Sequence, residues 1–113
     1  MNKFSFQRID NRAGGLCLYI QHNLVADKIN VDLEDCVVVR ISIPIDLLVI
    51  GFYNPPNSKN FKDELIPLIK HYKTVSPICP IMILGDFNLK TNIINKFCQE
   101  NDFFMNNCDP TRE

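Results

Sequence analysis

Two short segments of this sequence hold side chains that could perform hydrolytic chemistry. The first is Gly85-Asp86-Phe87-Asn88, which directly follows four apolar residues. Because side chains alternate along an extended chain, Asp86 and Asn88 should point the same way and Phe87 the opposite way. A carboxylate beside an amide could position a water molecule and donate to a developing oxyanion. The alternative is a plain β-turn in which Asp86 and Asn88 bond their own backbone.

The second segment is Tyr53-Asn54-Pro55-Pro56-Asn57, which ends another apolar run. A tyrosine fixed by a rigid Pro-Pro exit can donate its phenol hydrogen to a phosphate, and Asn57 offers two amide donors. The alternative is that Tyr53 is a core aromatic residue that ends a strand, with the prolines protecting a sheet edge.

The elements around these segments predict an α/β fold in which strands outnumber helices. Apolar runs predict strands at residues 15–20, 36–43 and 47–53, of which the last two should form a hairpin. Residues 81–84 should form a central strand buried on both faces. One helix is expected from a Ser58 or Asn60 cap to Tyr72, with a kink or a later start at Pro67. A shorter helix should begin at a Thr91 cap.

Composition limits the other readings. The 113 residues allow one small domain, and a formal net charge of −1 excludes both a basic nucleic-acid arm and an acidic tail. Five cysteines without a CxxC pair or zinc-finger spacing predict reduced thiols in an intracellular protein, in the nucleus or cytoplasm. Residues 41–53, the longest apolar stretch, are interrupted by polar residues and proline, so no membrane partner is expected. Residues 1–11 are expected to be poorly packed and to contain no strand, and residues 21–35 should form a polar connector.

The order of these motifs resembles the endonuclease/exonuclease/phosphatase superfamily, and more narrowly the endonuclease domain of non-LTR (LINE-type) retrotransposons. The shared pattern is a strand ending in Tyr-x-Pro-Pro-Asn, a helix, and an apolar strand ending in Gly-Asp-Phe-Asn. Residues 12–20 resemble the Gly-Gly strand before these motifs, and Asp109-Pro110-Thr111-Arg112 resembles the Pro-Thr-Arg segment after them. The resemblance therefore implies a DNase I-like four-layer α/β/β/α sandwich. Residues 1–113 would form a partial domain of this kind, truncated at both ends.

The resemblance implies Mg²⁺-dependent hydrolysis of DNA phosphodiesters. In that family the residue matching Asp86 orients the attacking water, and those matching Asn88 and Tyr53 hydrogen-bond the scissile phosphate. Asn57 matches an Asn near the DNA backbone, although the spacing here has one extra residue, and Thr111 matches a Thr that lines the DNA groove. The family's metal-binding Glu upstream and its terminal Ser-Asp-His have no counterpart in this sequence, so no metal ligand is assigned.

Several functions remain open at this point. The first is a fragment of a retrotransposon endonuclease that nicks target DNA only as part of a larger enzyme and is inactive alone. A second is a working phosphodiesterase whose missing half comes from a complementing polypeptide. The others are a non-enzymatic binding module that retains the central fold, and a phosphatase or phosphodiesterase branch of the same superfamily.

Overall fold

The apolar runs form strands of two sheets in the computed structural model, which describes residues 2–7 and 15–105. The strands are β1 Asn2–Gln7, β2 Gly15–Ile20, β3 Val25–Ile29, β4 Cys36–Ile43, β5 Leu47–Tyr53 and β6 Ile81–Asp86. Strands β1 and β2 pair antiparallel as a two-stranded sheet, called here the hairpin. The other four form one sheet in the order β3-β4-β5-β6. With two helices, this arrangement confirms the prediction of a mixed α/β fold.

Strand β5 has different kinds of neighbour on its two sides. It pairs antiparallel with β4, so the predicted hairpin of these two strands is confirmed. It pairs parallel with β6, and a helical crossover connects the two. Because β5 and β6 run in the same direction, their carboxyl ends meet at one edge of the sheet. Both motifs singled out from the sequence begin there.

The crossover starts with a π-helical segment, Phe61–Leu65, and continues as α1, Ile66–Val75. Pro67 lies in the first turn of α1, where its missing N–H removes no α-helical hydrogen bond. The helical segment begins at Phe61, directly after Asn60, and only its α-helical part starts later, at Ile66. The Ser58 hydroxyl accepts a hydrogen bond from the Asn60 N–H at 3.1 Å. The second helix is α2, Thr91–Asn101, in which Thr91 is the first helical residue rather than the cap.

Apolar side chains pack on both faces of the four-stranded sheet. On the helix face, α1, α2 and the π-helical segment cover the sheet; the buried residues are Cys36, Val38, Leu48, Ile50, Phe52, Phe61, Leu65, Ile69 and Phe97. On the hairpin face, β1 and β2 cover it; the buried residues there are Ile20, Val37, Val39, Ile41 and Val49. Strand β4 therefore has core on both sides, as its run of β-branched residues requires.

Three sequence predictions about the strands are wrong. Residues 2–7 form a strand where none was expected, because β2 pairs with all six of their positions and bonds their backbone. The polar connector contains β3, whose Asp27 and Lys28 suit an edge strand. Strand β6 is the last strand of its sheet among the described residues, and it is not buried on both faces, since Met82 and Leu84 are 46% and 45% exposed. Residues 1 and 8–11 lie outside the described residues.

Within residues 2–7 and 15–105, neither helix combines the length and the apolar composition needed to cross a bilayer.

Candidate active site at the carboxyl ends of β5 and β6

Tyr53 and Asp86 are direct partners in the parallel register of β5 and β6. The residues before them, Phe52 and Gly85, occupy helix-facing positions of their strands. Because side chains alternate along a strand, those of Tyr53 and Asp86 leave the sheet on the hairpin face. Phe87 points the other way, as predicted. Its ring stacks on Phe52 with centroids 6.4 Å apart and meets Phe61 edge-on at 5.8 Å. These ring contacts anchor the segment between Asp86 and Asn88 to the core.

Gly85 allows β6 to lie close against β5 just before this segment. Its φ of +147° belongs to the region that only glycine adopts freely. A Cβ atom at this position would lie 1.7 Å from the backbone oxygen of Phe52. No other residue fits there without moving one of the two strands, so Gly85 fixes where Asp86 leaves the sheet.

The Asp86–Asn88 turn has the hydrogen bonds of a self-supporting turn. The Asn88 N–H donates to Oδ1 of Asp86 at 3.2 Å, and Asn88 has a left-handed φ of +48°. The prediction that Asp86 and Asn88 share one direction by simple alternation therefore fails at Asn88, because the extended chain ends at Asp86. This bond uses one of the two carboxylate oxygens of Asp86, and the side chains of Asp86 and Asn88 are both exposed.

The side-chain amide of Asn88 is held against β5. Its Nδ2 donates to the backbone oxygen of Asn54 at 2.7 Å. An amide nitrogen has two hydrogens, so one N–H of Asn88 remains available for another acceptor. The side chains of Asp86 and Asn88 thus lie at the same strand ends as Tyr53. The bonds described above leave the Oδ2 atom of Asp86 and one amide N–H of Asn88 for other partners.

Asn54 is the residue at these strand ends that the sequence predictions missed. It is only 1% exposed. Its backbone N–H donates to the backbone oxygen of Asp86, and its Nδ2 donates to the backbone oxygen of Phe87, both at 2.8 Å. A signal was present in the sequence, because the two prolines that follow Asn54 have no N–H to continue a strand ladder.

Of the two remaining predicted site residues, the structure describes Asn57. Asn57 is exposed in a turn closed by a 3.0 Å hydrogen bond from the Ser58 N–H to the Pro55 oxygen. Its φ of +62°, after Pro56, is typical of the third position of a type II turn, which explains the residue type without a ligand. Thr111 lies outside the described residues.

The described residues do not fit a Mg²⁺ site by themselves. Within residues 2–7 and 15–105 there is no group of three or more His, Cys, Asp and Glu side chains that could hold a metal ion. Asp86 contributes a carboxylate at the strand ends, and the other residues there contribute an amide and a phenol. Such groups bind water and phosphate oxygens through hydrogen bonds.

Comparison of the chain with protein-family models, curated proteins and solved structures gave no match. The functional proposal therefore depends on the motifs and on the geometry of the strand ends.

Proposed function

We propose that this chain is the central part of a metal-dependent DNA endonuclease domain of the non-LTR retrotransposon type. The observation that carries the proposal is the pairing of Tyr53 with Asp86 at adjacent parallel strand ends, next to Asn88. The motifs that resemble the family are far apart in sequence, and this register brings their polar residues to one edge of the sheet. Strand ends of this kind are where α/β folds bind ligands.

In this proposal each side chain has one role toward a DNA phosphodiester. Asp86 accepts a hydrogen bond from the attacking water and orients it, while Asn88 and Tyr53 donate to the phosphate oxygens. Asn57 lies near the DNA backbone, and Thr111 lines the DNA groove. The resemblance implies Mg²⁺ as cofactor, but the ligands for it would have to come from outside the described residues. The isolated chain is accordingly proposed to be inactive, and a complementing polypeptide could supply the rest.

The finer fold belongs to the same proposal. The helices, the four-stranded sheet and the hairpin form three successive layers, α/β/β. A DNase I-like sandwich adds a fourth, helical layer beyond the second sheet, and we place that layer outside the described residues. DNA as partner also places the protein inside the cell, in the nucleus or cytoplasm.

A non-enzymatic binding module is the second candidate. It is favoured by the bonds that Asp86 and Asn88 make to backbone groups, which give both residues a structural role without any substrate. The phosphatase branch of the superfamily shares Gly-Asp-x-Asn, so only the Tyr53 segment and Asp109-Pro110-Thr111-Arg112 distinguish DNA as the substrate.

A binding experiment tests the site without requiring activity. Short double-stranded DNA is titrated into the isotope-labelled chain, and we expect shifts in the NMR signals of Tyr53 and Asn88. Asn88→Ala and Tyr53→Phe should each weaken binding about tenfold, as expected for one lost charge-assisted hydrogen bond. Asn95→Ala, at an exposed position of α2, is the matched control and should bind normally. Shifts confined to other surfaces would contradict the proposal.

A nicking assay on supercoiled plasmid with Mg²⁺ tests the inactivity of the isolated chain. We expect no nicking above background. Nicking that is lost in Asp86→Asn would show instead that the chain is a complete catalyst, and it would overturn the fragment hypothesis.

A further inference from the structure

The ladder between β5 and β6 should end abruptly after Asn54. In a parallel ladder, donors toward one neighbour come from every second residue of a strand. The Asn54 N–H fills one such position by donating to the Asp86 oxygen. The next donor would be residue 56, which is a proline, as is residue 55. In this register the N–H of residue 56 would meet the Asn88 carbonyl, so the backbone of β5 has no donor with which to continue the ladder.

Two side-chain amides connect the strands beyond this point. Asn54 Nδ2 donates to the Phe87 oxygen at 2.8 Å. In return, Asn88 Nδ2 donates to the Asn54 oxygen at 2.7 Å, because the Asn88 backbone N–H is turned toward Asp86. We call these two reciprocal bonds the amide clasp. They extend the contact between the strands past the point where both backbones leave the sheet.

Burial makes asparagine hard to replace at position 54. The side chain is almost fully buried, and its Oδ1 has no hydrogen-bond partner among the described residues. An unpaired buried acceptor is unfavourable, so the donors of the same residue must compensate for it. Ionised aspartate has the same shape but no donor for the Phe87 oxygen, and leucine has no polar group at all. Asparagine supplies the donor in this volume without a change of protonation.

We propose that Asn54 is a positioning residue for the Asp86–Asn88 turn. The clasp fixes the Phe87 carbonyl and holds the nitrogen side of the Asn88 amide toward β5, which leaves one defined N–H of Asn88 for an external oxygen. Asn54 is buried and acts through Asn88. That this N–H meets a phosphate rests on the function proposed above, whereas the clasp itself depends only on the contacts within the chain.

Hydrogen exchange of side-chain amides, measured by NMR, tests the proposal on the intact chain. In the unmodified protein the Asn54 side-chain amide should exchange at least about tenfold more slowly than that of exposed Asn95. In Asn54→Asp we expect the Asn88 side-chain amide to exchange about tenfold faster and its shifts to move toward those of Asn95. The matched control, Asn95→Asp, should change neither signal of the clasp.

Two outcomes would overturn the proposal. One is rapid exchange of the Asn54 amide in the unmodified protein, a measurement that needs no variant to fold. The other is an Asn54→Asp or Asn54→Ser variant that unfolds at lower temperature but leaves the Asn88 amide signals unchanged, because that result would indicate a purely structural role. The DNA titration is a separate readout, so a chain with an intact clasp that binds no DNA would disprove only the proposed function.

Discussion

The two faces of the four-stranded sheet are covered by different kinds of element, and the covers differ in extent. On the helix face, Phe61, Leu65 and Ile69 pack against the middle of the sheet. Phe97 of α2 joins them, and the centroids of the Phe61 and Phe97 rings are 5.1 Å apart. On the hairpin face, the described part of the hairpin packs mainly against β4 and β5. An open groove of about 250 Å³ lies between β2 and β6 and is lined in part by Leu18, Tyr19, Met82 and Leu84.

The difference shows that burial follows the reach of the covering element rather than the apolarity of the strand. Ile81 and Ile83 of β6 pack against the helix-face core, whereas Met82 and Leu84 on the other face stay about half exposed. All four residues are apolar. A two-stranded hairpin is narrower than the sheet beneath it, so the outermost strand keeps one uncovered face.

The largest expected effect distinguishes the two faces with the same substitution. Leu65→Ala removes a fully buried side chain from the helix face and should cost about 3–4 kcal/mol of unfolding free energy. Leu84→Ala, on the uncovered part of the hairpin face, should cost less than about 1 kcal/mol. Urea unfolding of both variants measures the difference. Equal losses would mean that the hairpin face is as well packed as the helix face.

A second pair of variants probes how closely each neighbour approaches β5. Gly85→Ala should cost about 3 kcal/mol, because its Cβ would overlap the Phe52 carbonyl and its φ is unfavourable for alanine. Gly51→Ala is the control: the atoms nearest to its Cβ would belong to the flexible Leu18 side chain, at 3.3 Å. We expect a loss of about 1 kcal/mol or less there, since alanine also reduces the entropy lost on folding.

The expected outcome for Gly51→Ala is itself informative about the hairpin. A loss as large as that of Gly85→Ala, again by urea unfolding, would show that Leu18 cannot move and that the hairpin packs rigidly on the sheet. Unchanged NMR signals for Asp86 and Asn88 in Gly85→Ala would contradict the role assigned to Gly85 at the strand ends.

Sequence patterns predicted the parts of this fold that local composition determines. The β-branched run of β4 and the apolar run of β5 are found as predicted, and so is the hairpin between them. Strand β1 was missed although residues 3–7 alternate polar and apolar side chains. Strand β3 was missed because pairing with β4, and not its own pattern, keeps it extended. The burial of β6 was wrong because four apolar residues do not reveal which elements will cover them.

For the candidate site, the sequence indicated which residues to consider, but it did not indicate the hydrogen bonds that hold them. Asp86, Asn88 and Tyr53 were named from residue types at strand exits, and the direction of Phe87 followed from alternation. The left-handed turn at Asn88 was not expected, because alternation holds only while the chain stays extended. Asn54 was missed because its role depends on a carbonyl 33 residues away in the chain.

The smallest expected effect concerns a weak point of the well-covered helix face. Glu64 lies in the π-helical segment, and one of its carboxylate oxygens, Oε2, is buried without a hydrogen-bond partner among the described residues. Burial raises the pKa of Glu64, and the nearby charges of Glu34, Asp35 and Asp63 raise it further. Its charge in turn adds to the burial that raises the pKa of Cys36 to about 11. The helix face therefore contains a carboxyl group whose charged form is disfavoured by its surroundings.

The sign of the pH effect follows from proton linkage. A carboxyl whose pKa is higher in the folded state binds more protons when folded, so stability falls as pH rises from the ordinary glutamate value of 4.5 through the raised one. Glu64→Gln should therefore be more stable than the unmodified chain at pH 7, by less than about 1 kcal/mol after solvent screening, and equal to it in acid. Glu100→Gln, which loses only an exposed 3.9 Å pair with Lys96, is the control and should show no such gain. Thermal unfolding across this pH range measures both, and a Glu64→Gln variant less stable at pH 7 would show that this carboxylate stabilises the helix face instead.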